Sequence, residues 1–325
     1  MSLDLGIVIL NWNTRDLLRD CLRSVYASRG TLDYAVCVVD NASSDGSAAM
    51  VRAEFPAVHV VESPVNGGYA AGNNLGLRAF NFGLGRADAP RYALLLNPDT
   101  VLPPTALADM VAYLDAHPRA GAAGPRLVLP TGELDLACRR SLAFDAFLYR
   151  MLGLSRLFPR SRRFGQYNLT YLSPDVETEV GAVVGAFMLV RREAIAQAGL
   201  LDEAFFMYGE DLDWAAAFHQ AGWEVRYNPA VTVVHFKRAA SRQSHRAQIA
   251  FHEAMLYFFQ KHYAASTPPW LAWLVRLGII LNLNWTRLRE RFTSRAVAGR
   301  PVAPPAPPAA PQAPPPAPPA AASRL

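Results

Sequence analysis

The residues best placed for chemistry in this sequence are carboxylates that follow short apolar runs. Leu94-Leu95-Leu96 has the pattern of a strand buried on both faces, and it runs directly into Asn97-Pro98-Asp99-Thr100. Pro98 has no N–H to donate to a ladder, so the strand stops there. Asp99 then stands at the carboxyl end of an internal strand, where open α/β sheets bind their ligands. One carboxylate at such an edge can hold a hard cation against a phosphate. It can also simply close an Asx turn before a helix beginning near Pro104. Asp40 ends a second apolar run and is open to the same two readings. It can accept a hydrogen bond from a nucleobase or ribose, or it can close an Asx turn with Asn41 and Ser43.

Three further groups carry chemical potential. Glu210, Asp211 and Asp213 open a helix, where acids favour the dipole, but Phe205-Phe206-Met207-Tyr208 just upstream is a wall of large apolar groups. Carboxylates beside such a wall are candidates for a raised pKa and base chemistry. His235 ends a strand, as Asp99 does, and reads either as a structural histidine or as a metal ligand on the same edge. Gly67-Gly68, between Asn66 and the pair Asn73-Asn74, lets the backbone approach a ligand closely. This stretch does not match G-x-G-x-x-G, so a nicotinamide enzyme is not expected.

The elements that must position these residues follow from hydrophobic spacing. Leu5–Leu10, Ala35–Val39, Val58–Val61 and Tyr92–Leu96 read as buried strands, each ending in polar, turn-forming residues. Between the first two lies a helix with Leu17, Leu18, Cys21, Leu22 and Val25 on one face, capped by Asn13 or Thr14. A helix through Leu75 and Leu77 to about Phe82 precedes the fourth strand. Strands and helices alternating at these intervals predict βαβ units and a mostly parallel sheet, with the polar clusters gathered on one edge. Beyond it, Arg126–Leu129 reads as a strand with a hairpin turn at Pro130-Thr131-Gly132-Glu133. Trp223–Tyr227 and Val231–His235 read as two short strands. The basic stretch Arg150–Arg163 reads as a segment over the site.

Length and composition set the frame. At 325 residues, 51% hydrophobic and 18% charged, the chain can bury a sizeable core. A net charge of +5, drawn partly from arginines after Arg276, gives no nucleic-acid footprint across the fold. Cys21, Cys37 and Cys138 have no metal-like spacing; the first two read as buried thiols, which suits a reducing cytosol. With no basic region before an apolar core at the N-terminus, a signal peptide is not expected, and the protein is expected to be cytoplasmic. Trp270–Leu283 is strongly apolar, interrupted by Arg276 and followed by Arg287, Arg289, Arg291 and Arg295. It reads either as a helix packed on the body of the protein or as one lying in an anionic membrane interface, a peripheral membrane contact. From residue 300 the chain is Pro/Ala low complexity, with 11 of the 25 prolines, and is expected to be disordered.

Val8–Asn13, Val38–Ser47, Asn66–Asn74, Leu94–Thr100 and Tyr208–Asp213, taken in series, resemble family 2 glycosyltransferases. The branch they most resemble is the rhamnosyltransferase-like enzymes of bacterial cell-surface polysaccharide assembly. The resemblance covers roughly residues 4–240. It implies an α/β fold of GT-A type over residues 1–240; beyond it, the residue pattern alone predicts a helical segment over 241–299 that can associate with a membrane and a disordered tail over 300–325. The resemblance also implies a nucleotide-sugar donor (dTDP- or UDP-linked), a divalent metal (Mg²⁺ or Mn²⁺), a glycan or lipid-linked acceptor and inversion at the anomeric carbon.

Carried over residue by residue, Asp40 reads the base beside Leu10, Asn11, Trp12 and Asn13. Asn66, Gly67, Gly68, Asn73 and Asn97 line the donor side, and Arg139 and Arg140 meet the diphosphate or the acceptor. Asp99 is the main metal ligand, because Asn97 replaces the first acid of the family's Asp-x-Asp motif, and His235 is the further ligand. Asp211 is the catalytic base, with Tyr208, Glu210 and Asp213 on the acceptor side. The other readings kept at this point are a non-catalytic nucleotide-sugar or carbohydrate-binding relative and a sugar nucleotidyltransferase. The latter needs a Gly-rich loop where this chain has Asn11-Trp12-Asn13.

Overall fold

The computed structural model describes residues 3–86, 88–140, 144–237 and 245–298; the Pro/Ala tail lies outside the described residues. The chain begins with three βα units: β1 (Leu5–Asn11), α1 (Arg15–Tyr26), β2 (Tyr34–Asn41), α2 (Ser47–Glu54), β3 (His59–Ser63) and α3 (Gly68–Ala79). It continues through β4 (Tyr92–Leu96), β5 (Thr100–Val101), α4 (Ala106–Ala116), β6 (Ala120–Val128), β7 (Cys138–Arg139), α5 (Phe144–Met151) and α6 (Leu154–Leu157). Then come β8 (Thr178–Val180), β9 (Ala182–Val183), β10 (Phe187–Arg191), α7 (Arg192–Ala198), α8 (Glu210–Gln220) and β11 (Glu224–His235). Two long helices, α9 (His245–His262) and α10 (Pro269–Ala298), follow.

The main sheet runs β3-β2-β1-β4-β10-β6-β11-β5, with β8 paired to β11; β7 and β9 form a separate two-stranded ladder. β3, β2, β1 and β4 are mutually parallel, so their carboxyl ends share one edge, as the apolar runs predict. β10 enters antiparallel between β4 and β6. The core lies on both faces because consecutive strand residues point to opposite sides. Leu94 and Leu96 pack with α1 and α4, whereas Ala93 and Leu95 pack with α3, α7 and α8. Trp214 and Phe218 of α8 are fully buried in the second cluster. Burial of side chains of this size contributes about 1.5–3 kcal/mol each.

Three local expectations change. The residues expected to form two short strands after Trp223 are one strand of 12 residues, β11, in which the register to β6 shifts between Asn228 and Thr232. Pro229 sits in that shift, so its missing N–H is accommodated by an irregularity and does not break the strand. Thr14 occupies the N-cap position of α1 but makes no side-chain cap bond; its hydroxyl donates to Asn11 Oδ1 at 2.6 Å. Asp45 Oδ2 accepts from the Arg15 amide instead, at 2.9 Å. The third change is in α3, which ends at Ala79 and not near Phe82.

Candidate active site

On the rim formed by β1, β2 and β3, polar side chains bind one another. Asp40 is buried opposite Asn11 in the ladder. Its Oδ1 accepts from Asn11 Nδ2 at 3.0 Å and its Oδ2 accepts from the Ser43 amide at 3.0 Å. Ser43 Oγ in turn accepts from the Asn13 amide at 2.9 Å, and Asn13 Oδ1 accepts from the Ser44 amide at 2.8 Å. Asn13 and Ala42 both hold positive φ, which makes these two turns tight. Leu10 is half-buried against α3, and Trp12 stands 52% exposed above the network. Asn41, which no motif singled out as functional, donates to Asn66 Oδ1 at 2.8 Å and to the Gly68 carbonyl at 3.1 Å. Its own Oδ1 accepts from the Gly67 amide.

Gly68 is required for a reason other than the one expected. Its φ is +85°, and a Cβ there would lie 2.2 Å from the Phe206 carbonyl oxygen, so the close neighbour is the chain before α8 and not open ligand space. The Tyr69 amide donates to that same oxygen at 2.6 Å. Asn73 is buried and its Nδ2 donates to the Tyr69 carbonyl within its own helix. Asn74 fixes the Leu201–Glu203 segment, donating to the Leu201 carbonyl and to Glu203 Oε1.

The other half of the rim gathers Asp99, His235, Glu210 and Asp211. Antiparallel pairing of β5 with β11 sets His235 opposite Thr100, which brings His235 Nε2 to 3.3 Å from Asp99 Oδ1. Asn97 is half-buried next to them; its carbonyl accepts from the Thr100 hydroxyl. His235 Nδ1 is 2.8 Å from Asp135 Oδ2, and Asp135 also pairs with Lys237. Nothing in the local sequence marks Asp135, which arrives through the hairpin that links β6 to β7, its amide bonded to the Leu127 carbonyl. Burial alone would raise Asp135, but its bonds to His235 and Lys237 outweigh that and hold the carboxyl at about 2. Burial alone would lower His235, but the bonds to Asp135 and Asp99 raise the imidazole to about 9.

α8 begins after two consecutive residues with positive φ, Tyr208 and Gly209, a turn that tips its first acids inward. Glu210 is only 6% exposed and its Oε2 has no hydrogen-bond partner among the described residues. Burial first, then the neighbouring Asp211 charge, push its pKa well up. Burial also raises Asp211, while the Arg139 charge and the Leu212 and Gly185 amides pull it back. Arg139 is brought there by the β7–β9 ladder and lies over the Tyr167 ring; Arg140 is exposed, its amide bonded to the Tyr167 carbonyl.

Tyr69 joins the two acidic groups. Its hydroxyl donates to the Gly185 carbonyl at 2.7 Å, and after burial itself it is the charges of Glu210, Asp211 and Asp99 that raise its pKa. Asp213 is the exception among the expected residues. It lies about 200° around the helix from Asp211, pairs with Lys261 and His262 of α9, and therefore fastens α9 instead of facing an acceptor. Tyr208 stands between, edge-on to Phe251 of α9.

Asp99 presents a carboxylate oxygen, and His235 Nε2 would ligate only once a metal displaces the proton that its bonds to Asp135 and Asp99 favour; with phosphate oxygens completing the shell, that pair would suit Mg²⁺ or Mn²⁺. No cluster of three or more ligating side chains occurs among the described residues, so a metal here depends on the ligand for the rest of its coordination.

The model of the family described as Glycosyl transferase family 2 matches residues 6–197. The chain belongs to that family. The glycosyltransferase is 29% identical over 254 residues to an N-acetylglucosaminyl-diphospho-decaprenol L-rhamnosyltransferase of Mycobacterium tuberculosis, covering 76% of this chain and 81% of that protein. It is 25% identical over 207 residues to rhamnosyltransferase WbbL of Escherichia coli, covering 62% of this chain and 68% of that one. Its fold matches a mannosyltransferase from Pyrobaculum calidifontis solved with GDP-Man and Mn²⁺. The TM-score is 0.55 at 18% identity, covering 93% of this chain and 77% of that one. The fold is thus GT-A, and the branch is rhamnosyltransferase-like.

Proposed function

We propose that this glycosyltransferase is an inverting, divalent-metal-dependent enzyme that moves L-rhamnose from dTDP-rhamnose to a hydroxyl of a cell-surface glycan or lipid-linked acceptor. The observation that carries the reading is a chain of bonds: the Tyr69 hydroxyl donates to the Gly185 carbonyl, the Gly185 amide bonds Asp211, and the adjacent Ala186 carbonyl accepts from the Asn97 amide, two residues before Asp99. This supports reading Asp99 and Asp211 as parts of one site. The names of the relatives support the sugar and the lipid-linked acceptor.

In this reading Leu10–Asn13, Asp40 and Asn66–Gly68 frame the nucleotide, with Asn73 behind them. Asn97, Arg139 and Arg140 border the diphosphate. Asp99 and His235 hold the metal, which when bound supplies Lewis-acid neutralisation of the leaving diphosphate. Asp211 accepts the proton of the acceptor hydroxyl as that oxygen attacks the anomeric carbon from the face opposite the diphosphate. A single displacement of this kind needs no enzyme nucleophile and inverts the centre. Glu210, whose pKa burial pushes well up, stands on the acceptor side, and Tyr208 walls it.

The test is a panel of nucleotide sugars, assayed for turnover with Mn²⁺ or Mg²⁺ and with chelator. Turnover of dTDP-rhamnose that chelator removes is the expected result. Turnover of another donor alone overturns the sugar assignment, and turnover insensitive to chelator overturns the metal.

A further inference from the structure

α10 has two apolar faces. Val275 and Ile279 are buried with Phe258 and Phe259 of α9 and with Tyr263 just after it, and Leu283 is buried further along α10. On the opposite side stand Trp270, Trp273, Leu281 and Trp285, at 66%, 62%, 59% and 59% exposure. Their spacing places them on a single stripe along the helix. Three exposed tryptophans on one helix face are far outside the scatter of single exposed hydrophobics on an ordinary surface.

We propose that this stripe docks on an anionic lipid bilayer, with α10 lying in the plane of the interface. Charge selects that occupant. After Tyr263 the sequence contains seven arginines and one acid, Glu290, an excess larger than the +5 of the whole chain. Arg276 is exposed on one flank of the stripe beside Arg287, which pairs with Glu253 of α9, and Arg289 lies on the other, its guanidinium over the Trp285 ring. Aromatic rings at headgroup depth with arginines beside them are the chemistry of an interfacial helix facing acidic lipids. A spanning orientation is excluded for this helix: α9 covers its other face, and no described helix is long and apolar enough to cross a membrane. A second copy of the chain would bring arginines against arginines. The Pro/Ala tail has no large side chains to cover three indoles.

The consequence is geometric. α9 carries the docked helix and, through Lys261 and His262 on Asp213, is pinned to α8, the helix that presents Glu210 and Asp211. Docking would thus set the orientation of these acids toward a membrane-resident acceptor. That last step rests on the function proposed above; the docking itself does not, so vesicle binding and turnover fail independently.

The experiment is co-sedimentation of the full chain with phosphatidylglycerol-containing vesicles and with pure phosphatidylcholine vesicles. Binding to the first, weakened by salt, is expected. The variant carrying Trp270→Ser, Trp273→Ser and Trp285→Ser should bind about tenfold or more weaker. Its thermal unfolding should be unchanged, because the replaced rings are exposed. Quenching of tryptophan emission by brominated lipid should fall with it. Equal binding of the variant and the original chain overturns the proposal. So does a tryptophan-dependent dimer that fails to bind vesicles, which would make the stripe a self-association surface.

Discussion

The two halves of the rim treat their polar atoms in opposite ways. From β1 to β3 the amides and acids expected at the site are tied into a network: Asn11 to Asp40, Asp40 to Ser43, Asn41 to Asn66 and Gly68. Around β5, β11 and α8 Asp99, His235 and Asp135 are bonded in a chain, but at the start of α8 like charges lie close and Glu210 Oε2 is unpartnered among the described residues. A buried donor or acceptor without a partner costs about 1–3 kcal/mol, so a fold keeps such a group where a ligand supplies the partner. The first half is a finished frame. The second is a set of groups completed by what binds.

That contrast can be broken at several points. The largest effect is expected at the metal side: Asp99→Ala should abolish metal-dependent nucleotide-sugar binding in calorimetry, and equal binding with and without chelator would refute it. Asp135→Asn keeps the shape but weakens the anchor of His235, and should lower Mn²⁺ affinity about 10–100-fold, read by direct metal titration. On the frame side, Asn41→Ala frees Asn66 and the Gly67-Gly68 backbone and should cost about 1–3 kcal/mol of stability, read from denaturant midpoints, while leaving Mn²⁺ affinity intact. If it instead removed metal binding with stability unchanged, the two halves would not be separable.

The smallest effect sharpens the electrostatics. Asp211 must be deprotonated to take a proton, so the rate falls as pH drops through its pKa. Burial sets that acid limb above the usual aspartate range, and the Arg139 charge lowers it. Arg139→Gln should therefore move the acid limb of the kcat profile to higher pH. A limb that stays put or moves down would contradict the placement of Arg139.

Much of the frame was legible because it is local. Apolar runs that end in Asn11, Asp40 and Asn97 announce strands and the edge at which they stop, and parallel pairing follows from their alternation with helices. What stayed hidden depends on distant contacts. Asp135 is a lone acid between Leu134 and Leu136, and its partner His235 lies 100 residues further on. Gly68 looks like a ligand-approach glycine until Phe206 is found against it. Asp213 was readable in principle: two residues along a helix turn a side chain to the opposite face. Asp211 and Asp213 are two residues apart in sequence but do not share a face of α8. The apolar stretch at Trp270–Leu283 left open whether it packs or faces a membrane. The answer is that one face packs on α9, and the other carries the exposed tryptophans.

The central claim is that one acid holds the cation while another, in the same site, takes the proton. The measurement that bears on it most directly is the turnover of Asp211→Asn beside its nucleotide-sugar affinity, both with Mn²⁺ present. A fall in kcat of about 10²–10⁴-fold with affinity retained is the predicted result. A near-normal kcat, or a loss confined to donor affinity, would contradict it.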